Sequence, residues 1–262
     1  MKLISRLLAF FGGLFASRII SDVSFDQNYY ITWGYDHFWT PNQGREVVLS
    51  LCYPSGAGFG SKLLYGSGFF YFRFRMKIPV NSAGVVTACY LTSQGHNHHE
   101  VDIEFLGNNE GKHIYISANA FTNGIGGRKH RFSLWFDTTA DFHTYQILWN
   151  HHQIAFHELE EIEASLWNAS WATDGGRMQI SWSYAPFEAR YRGFDVARCS
   201  VDKSSDMNQC YASHYWWNEV RFWELDSNQR RRYQNVRRHH MVYDYCSDTH
   251  RYPRPPTECQ YS

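Results

Sequence analysis

The run "NHHEVDIEFLG", residues 97–107, decides how the rest of this chain is read. Its apolar residues Val101, Ile103 and Phe105 alternate strictly with Glu100, Asp102 and Glu104. A period of two belongs to a β-strand, whose successive side chains point to opposite faces of a sheet. His98, Glu100, Asp102 and Glu104 then share one face, and His99, Val101, Ile103 and Phe105 share the other. Read as a helix, the same run would bring Glu100 near Glu104 but turn Asp102 away and scatter the apolar set. Acidic residues are depleted in strands, so three on one face call for a chemical reason.

Other segments carry the same signature. "GFFYFRFRMKIP" (68–79) sets Phe70, Phe72, Phe74, Met76 and Ile78 against Tyr71, Arg73, Arg75 and Lys77. "VVTACYL", "HIYISANAF", "FSLWF" and "YQILWN" are further short β-rich runs, with turn signals at "PSGAGFG", "NSAG", "TNGIGG" and "ATDGG" between strand-like segments. Many short strands joined by glycine turns predict an all-β sandwich or barrel. The one helix predicted is "LDSNQRRRYQNVRRHH" (225–240), opened by the Asp226–Ser227–Asn228 capping cluster. Its five arginines read as a solvated helix face rather than a nucleic-acid contact.

The composition narrows the function. The 262 residues suffice for a sizeable core, and 25 basic against 25 acidic residues give no bulk charge that favours nucleic acid or an anionic membrane. Aromatic residues make up 18% of the chain, enough to furnish both a β-sheet core and an open groove. The start, "MKLISRLLAFFGGLFAS", places Lys2 and Arg6 before an apolar run too short to span a bilayer, then Ala16 and Ser17. It reads as a secretory signal peptide over about residues 1–21. Of six cysteines, Cys199 lies near Cys210 and Cys246 near Cys259, as suits short-loop bridges in an oxidising compartment. Cys52 and Cys89 sit in strand-like runs, as free thiols or as a bridge. No CxxC or CxxH spacing points to zinc, and no metal or other cofactor is expected.

On a strand, Glu100 and Glu104 have Cα atoms roughly 13 Å apart, and inclined side chains bring their carboxyl groups to about 5–6 Å. A retaining glycosidase needs about 5–5.5 Å between its nucleophile and its acid/base. Asp102 between them can share a proton with the nucleophile and separate the pKa values. A calcium site would use the same oxygens, but a straight strand sets them in a line with no glycine-turned loop around an ion. His96, His98 and His99 are read as hydrogen-bonding neighbours of the strand.

The motif "HHEVDIEFLG" resembles the H-D/N-E-[IV]-D-[FI]-E-F-L-G strand of the xyloglucan endotransglucosylase/hydrolases, plant cell-wall enzymes of glycoside hydrolase family sixteen. "ITWG", "SGAGFGSK", "NSAGVVTACYLTSQG", "LWFDTTADFHTYQILWN", "SLWNASWATDGG", "APFEARYRGF" and "YDYCSDTHRYPRPPTEC" follow in the family's order. The resemblance implies a concanavalin-like jelly-roll β-sandwich over residues 22–195 and a disulfide-bonded extension over 196–262 with a short helix and strand. It implies Glu100 as nucleophile, Glu104 as acid/base and Asp102 as the helper between them. Contacts to the glucan are implied at Glu104, Ser117, Ala118, Asn119, Gly127, Arg128, Lys129, Ser170, Trp171, Gly176 and Arg251, and bridges at Cys199–Cys210 and Cys246–Cys259. Donor and acceptor would both be xyloglucan, acted on by a secreted monomer in the cell wall and apoplast, with no nucleic-acid or membrane partner.

This chain departs from the family in places. Ser117 and Ala118 stand where a longer polar residue and a threonine are usual, Lys129 replaces an acid, and His99 replaces Asp or Asn. The sole N-x-S/T sequon is Asn168–Ala169–Ser170, a candidate glycosylation site beside Trp171. After "ILWNHHQIAF" roughly twenty residues are missing, room for two strands and their connection. In their place "HELEEIEA" (157–164) shows no strand alternation and reads as helical or irregular. Such a loss would expose a sheet edge, and it raises a second reading: a secreted glucan-binding jelly roll with impaired catalysis.

Overall fold

Alternation of apolar and polar residues builds most of the structure, a computed structural model that describes residues 23–77, 81–109, 112–153, 159–201 and 206–261, without the side chains of 69–77 and 261. The predicted leader lies outside the described residues. In chain order the elements are α1 (Phe25–Asn28), β1 (Tyr29–Trp33), β2 (Phe38–Trp39), β3 (Glu46–Leu51), β4 (Ala57–Ser61), β5 (Leu64–Lys77), β6 (Val85–Thr92) and β7 (Glu100–Leu106). Then come β8 (Tyr115–Phe121), β9 (His130–Ser133), β10 (His143–Trp149), β11 (Glu161–Asn168), β12 (Phe187–Arg192), β13 (Ala197–Val201), α2 (Ser227–His240) and β14 (Met241–Asp244).

Two antiparallel sheets form a sandwich. One has eight strands in the order β1-β4-β11-β6-β7-β8-β9-β14; the other runs β10-β5-β12-β3-β2, with β13 also paired to β5. Val101, Ile103 and Phe105 of β7 point between the sheets and meet Tyr145, Ile147 and Trp149 of β10 and Phe187, Ala189 and Tyr191 of β12 in one core. The Phe105 and Tyr145 rings pack edge to face at 4.8 Å. Each such fully buried side chain contributes about 1.5–3 kcal/mol. An aromatic cluster of Phe25, Tyr29, Phe38, Phe59 and Phe194 closes one end. Glu46 of β3, itself buried, is held by Arg190 and Arg192 of β12 at 2.9 and 2.6 Å.

The strand expected from "GFFYFRFRMKIP" falls in β5; the alternation of its side chains lies outside the described residues. The predicted helix forms as α2. Asp226 accepts bonds from the backbone N–H groups of Asn228 and Gln229, and Gln229 Oε1 accepts one from the Asp226 N–H, a full capping box.

One expectation is overturned. Glu161 to Ala164 of "HELEEIEA" are extended and open β11, which fills the middle of the eight-stranded sheet between β4 and β6. Ile162, Ala164 and Leu166 are buried on the core face, while Glu161 and Glu163 are only half-buried. The alternation was present but short, and glutamates on the open face masked it. The missing segment follows β10 of the other sheet. There β10 is terminal and pairs with β5 alone among the described strands.

The chain from Ala197 onward serves both layers. β13 joins β5, β14 joins β9, and the bridges Cys199–Cys210 and Cys246–Cys259 close as expected. Cys52 and Cys89 are free thiols. Cys89 lies in the core, and Cys52 Sγ sits 3.0 Å from His37 Nε2.

Candidate active site

The side chains on the open face of the eight-stranded sheet are those its core does not take. On β7 they are Glu100, Asp102 and Glu104, and all three line one groove of about 760 Å³. Pairing sets their neighbours: Glu100 lies between Thr92 and Phe121, Asp102 between Tyr90 and Asn119, and Glu104 between Ala88 and Ser117. Both strands flanking β7 therefore hold the carboxylates in register, and the groove crosses the strands.

Asp102 is the most enclosed. Its Oδ2 accepts a 3.0 Å bond from Asn119 Nδ2, and Asn119 Oδ1 in turn accepts one from the Gly127 backbone N–H at 3.2 Å. Burial, then the charges of Glu104 and Glu100, push the Asp102 carboxyl well above the usual range, against the pull of Lys129 and Asn119. Burial also raises the Glu100 carboxyl to about 7, partly offset by a hydrogen bond from Thr92, with Glu104 raising it further and a hydrogen bond with Asp102 lowering it. Three acids in one dry cleft cannot all ionise together. Asp102 is the most buried of the three, and its Oδ1 is closed off from solvent with no hydrogen-bond partner.

Beside Glu104 stands Lys129, its Nζ 3.2 Å from Glu104 Oε2 and 4.6 Å above the Trp171 ring. Gly127 has φ +96°, and a Cβ there would strike Arg251 and the Tyr252 hydroxyl at 2.7 Å. Only glycine lets this loop lie under the Arg251 guanidinium.

Of the expected glucan contacts, Glu104, Asn119, Gly127, Lys129, Trp171 and Arg251 line the groove. Ser117 is on the open face but wholly buried, and its Oγ has no hydrogen-bond partner. Ala118 is a correction: it points into the core between its neighbours Ser117 and Asn119, because successive strand residues face opposite ways. Arg128 is also corrected. It turns from the groove to Glu258 at 2.7 Å and to the Ile125 carbonyl at 3.1 Å, tying the loop to the C-terminal tail. Ser170 and Gly176 support rather than line the groove: a Cβ on Gly176 would lie 2.6 Å from the Ser170 carbonyl, so the two back the Trp171 loop. Asn168 is exposed at the end of β11. His98 packs on Phe121 at 5.2 Å with Nε2 4.0 Å from Glu100, a neighbour of the strand as expected.

Phe121, Gly126, Arg131, Trp167 and Tyr243 line the groove without having been singled out in the sequence. Alternation along "SLWN" could have placed Trp167. Arg131 and Tyr243 could not be found without knowing that β9 and β14 follow β8. His130, Asp244 and Cys246 cluster elsewhere, but Cys246 is in a disulfide and His130 Nε2 is 3.2 Å from Asp244.

Comparison with known proteins agrees with this geometry. Residues 25–158 match the model of glycosyl hydrolases family 16, and residues 211–259 match that of the xyloglucan endo-transglycosylase C-terminus. The chain is 46% identical to Arabidopsis thaliana xyloglucan endotransglucosylase/hydrolase protein 2, an alignment covering 100% of this chain and 97% of the relative. It is 45% identical to protein 3 of the same organism, over 90% of this chain and 89% of that one. The first alignment runs to 284 positions against 262 residues here, an excess the size of the missing segment. Among solved structures, the Bacillus licheniformis β-glucanase superposes with a TM-score of 0.51 at 22% identity, covering 67% of this chain and 92% of that one. That likeness is one of fold.

Proposed function

The chain belongs to the xyloglucan endotransglucosylase/hydrolases of glycosyl hydrolases family 16, and from that premise we propose how its own residues perform the reaction. Glu100 attacks the anomeric carbon of a β-1,4-glucan backbone while Glu104 protonates the departing oxygen, which leaves a glycosyl ester on Glu100. In the second half Glu104 takes the proton of an acceptor hydroxyl, whose oxygen displaces Glu100 from the anomeric carbon. Water in the acceptor's place gives hydrolysis. Asp102, held by Asn119, supplies the hydrogen bond that steadies Glu100 as its charge is consumed and restored.

The observation that carries this reading is the alignment of all three carboxylates along one groove, with the central one buried and hydrogen-bonded. Among the described residues, none that lines the groove comes from β10, the strand before the missing segment. We further read residues 1–21 as a leader, 22–195 as the catalytic unit and 196–262 as its extension, acting as a secreted monomer on xyloglucan in the wall. Two disulfides support an oxidising destination, and no described helix is long and apolar enough to cross a membrane.

Transfer from xyloglucan to a labelled xyloglucan oligosaccharide tests the proposal. The protein transfers label, and Glu100→Ala and Glu104→Ala each lose it by a factor of a thousand or more. Soluble protein that binds xyloglucan and transfers nothing would instead support a binding module.

A further inference from the structure

The two flanks of the groove differ in charge. Asp102 lies opposite Tyr90, and Tyr90 opposite Glu163 of β11, whose Oε2 accepts the Tyr90 hydroxyl at 2.7 Å. Glu161 is two residues away on the same face of β11. In the other direction Glu104 lies opposite Ser117, Ser117 opposite Arg131, and Arg131 opposite Tyr243 of β14. Arg251 and Lys129 line the same groove. The triad thus stands between an acidic flank and a basic one.

The basic flank is short of acceptors. Lys129 is engaged with Glu104 and Trp171. Neither the Arg131 nor the Arg251 guanidinium has a carboxylate within ion-pair distance among the described residues, in contrast to Arg128, Arg190 and Arg237. Arg131 Nε is closed off from solvent and has no hydrogen-bond acceptor. A guanidinium that lines a ligand groove without a carboxylate of its own can donate to an oxygen that the ligand brings. Sugar hydroxyls can serve, but the planar fork of arginine matches a carboxylate, and two such forks favour an anion.

Resting on the transfer reading above, we propose that the β9–β14 flank takes acceptor glycans that carry a carboxylate, that is, uronic-acid-containing oligosaccharides. We place the acceptor on this flank because the row from Glu104, the group that receives the acceptor's proton, meets a cation only in this direction, at Arg131; the other way it runs to Ala88 and Ser165. The acidic flank repels the same ligand, so an acidic glycan enters as acceptor rather than as donor. The chemistry is that of the neutral reaction: the acceptor hydroxyl gives its proton to Glu104, its oxygen bonds to the anomeric carbon, and Glu100 leaves as carboxylate.

The test uses the full mature chain with xyloglucan as donor and two labelled β-1,4-linked acceptors of equal length, one neutral and one with glucuronosyl in place of a glucosyl residue. At low salt kcat/KM for the acidic acceptor is at least tenfold the neutral value. Salt at 0.5 M shrinks that ratio towards one, because exposed charge attraction is screened. Arg131→Gln and, separately, Arg251→Gln lower the ratio severalfold through KM of the acidic acceptor; two variants guard against one failing to fold. Equal use of both acceptors, or a ratio that neither salt nor substitution moves, overturns this inference and leaves the transfer reading standing. Transfer to neither acceptor overturns this inference, and the transfer reading falls with it only when a labelled xyloglucan oligosaccharide also goes unused.

Discussion

Replacing Glu100 with glutamine should stabilise the protein, and only above acidic pH. The native Glu100 carboxyl is raised from 4.5 to about 7 by burial first and then by the neighbouring Glu104 charge. The folded state thus holds this proton more tightly than the unfolded chain does. A group of that kind gives its full stabilisation below pH 4.5 and loses it as pH climbs towards 7. At about 1.4 kcal/mol per pH unit the gap amounts to about 3 kcal/mol, and the partial exposure of the side chain trims it to about 2–3 kcal/mol. The Glu100→Gln variant keeps the shape and a hydrogen bond to Thr92 but never has to ionise. Thermal melts from pH 4 to pH 8 therefore show nearly equal midpoints at pH 4. By pH 8 the variant melts about 5–10 °C above the parent, at about 2–4 °C per kcal/mol for a chain of this size. A difference that does not grow with pH, or a variant less stable at pH 8, would refute the assignment of burial strain to this carboxylate.

Other consequences can be measured directly. In the proposed mechanism Glu100 attacks as the ionised carboxylate, so kcat/KM falls about tenfold per pH unit below about pH 7, and a profile flat from pH 5 to 7 would contradict this. Asn119→Ala removes the donor to Asp102 and the acceptor of the Gly127 N–H, at a cost of about 1–3 kcal/mol of stability, seen in denaturant melts, and a kcat loss of ten- to a hundredfold. Cys259→Ser opens a loop of sequence separation 13 and costs about 2–4 kcal/mol. It also loosens Glu258 and with it Arg128, so the KM for acceptor rises while the KM for donor changes little.

What the sequence disclosed was local. The alternation in β7 placed three carboxylates on one face without any knowledge of the neighbours, and the cap at Asp226 placed a helix by chemistry confined to four residues. What it hid was pairing. The family resemblance groups Ser117, Ala118 and Asn119 as contacts, yet a strand cannot present three successive side chains to one groove, and Ala118 packs inward. Arg131 and Tyr243 reach the groove because residues over a hundred positions apart lie in one register row. β11 was misread because its acids belong to the open face of a sheet, where they do not conflict with burial.

β14 comes from the end of the chain and β9 from its middle, yet together they form the basic flank. During synthesis the carboxylates emerge long before that floor exists. A nascent chain therefore carries the β7 carboxylates before the strands that flank and back them can pair, and contacts so distant in sequence form slowly. Productive traffic through the groove must wait until translation has finished and the C-terminal strand has docked.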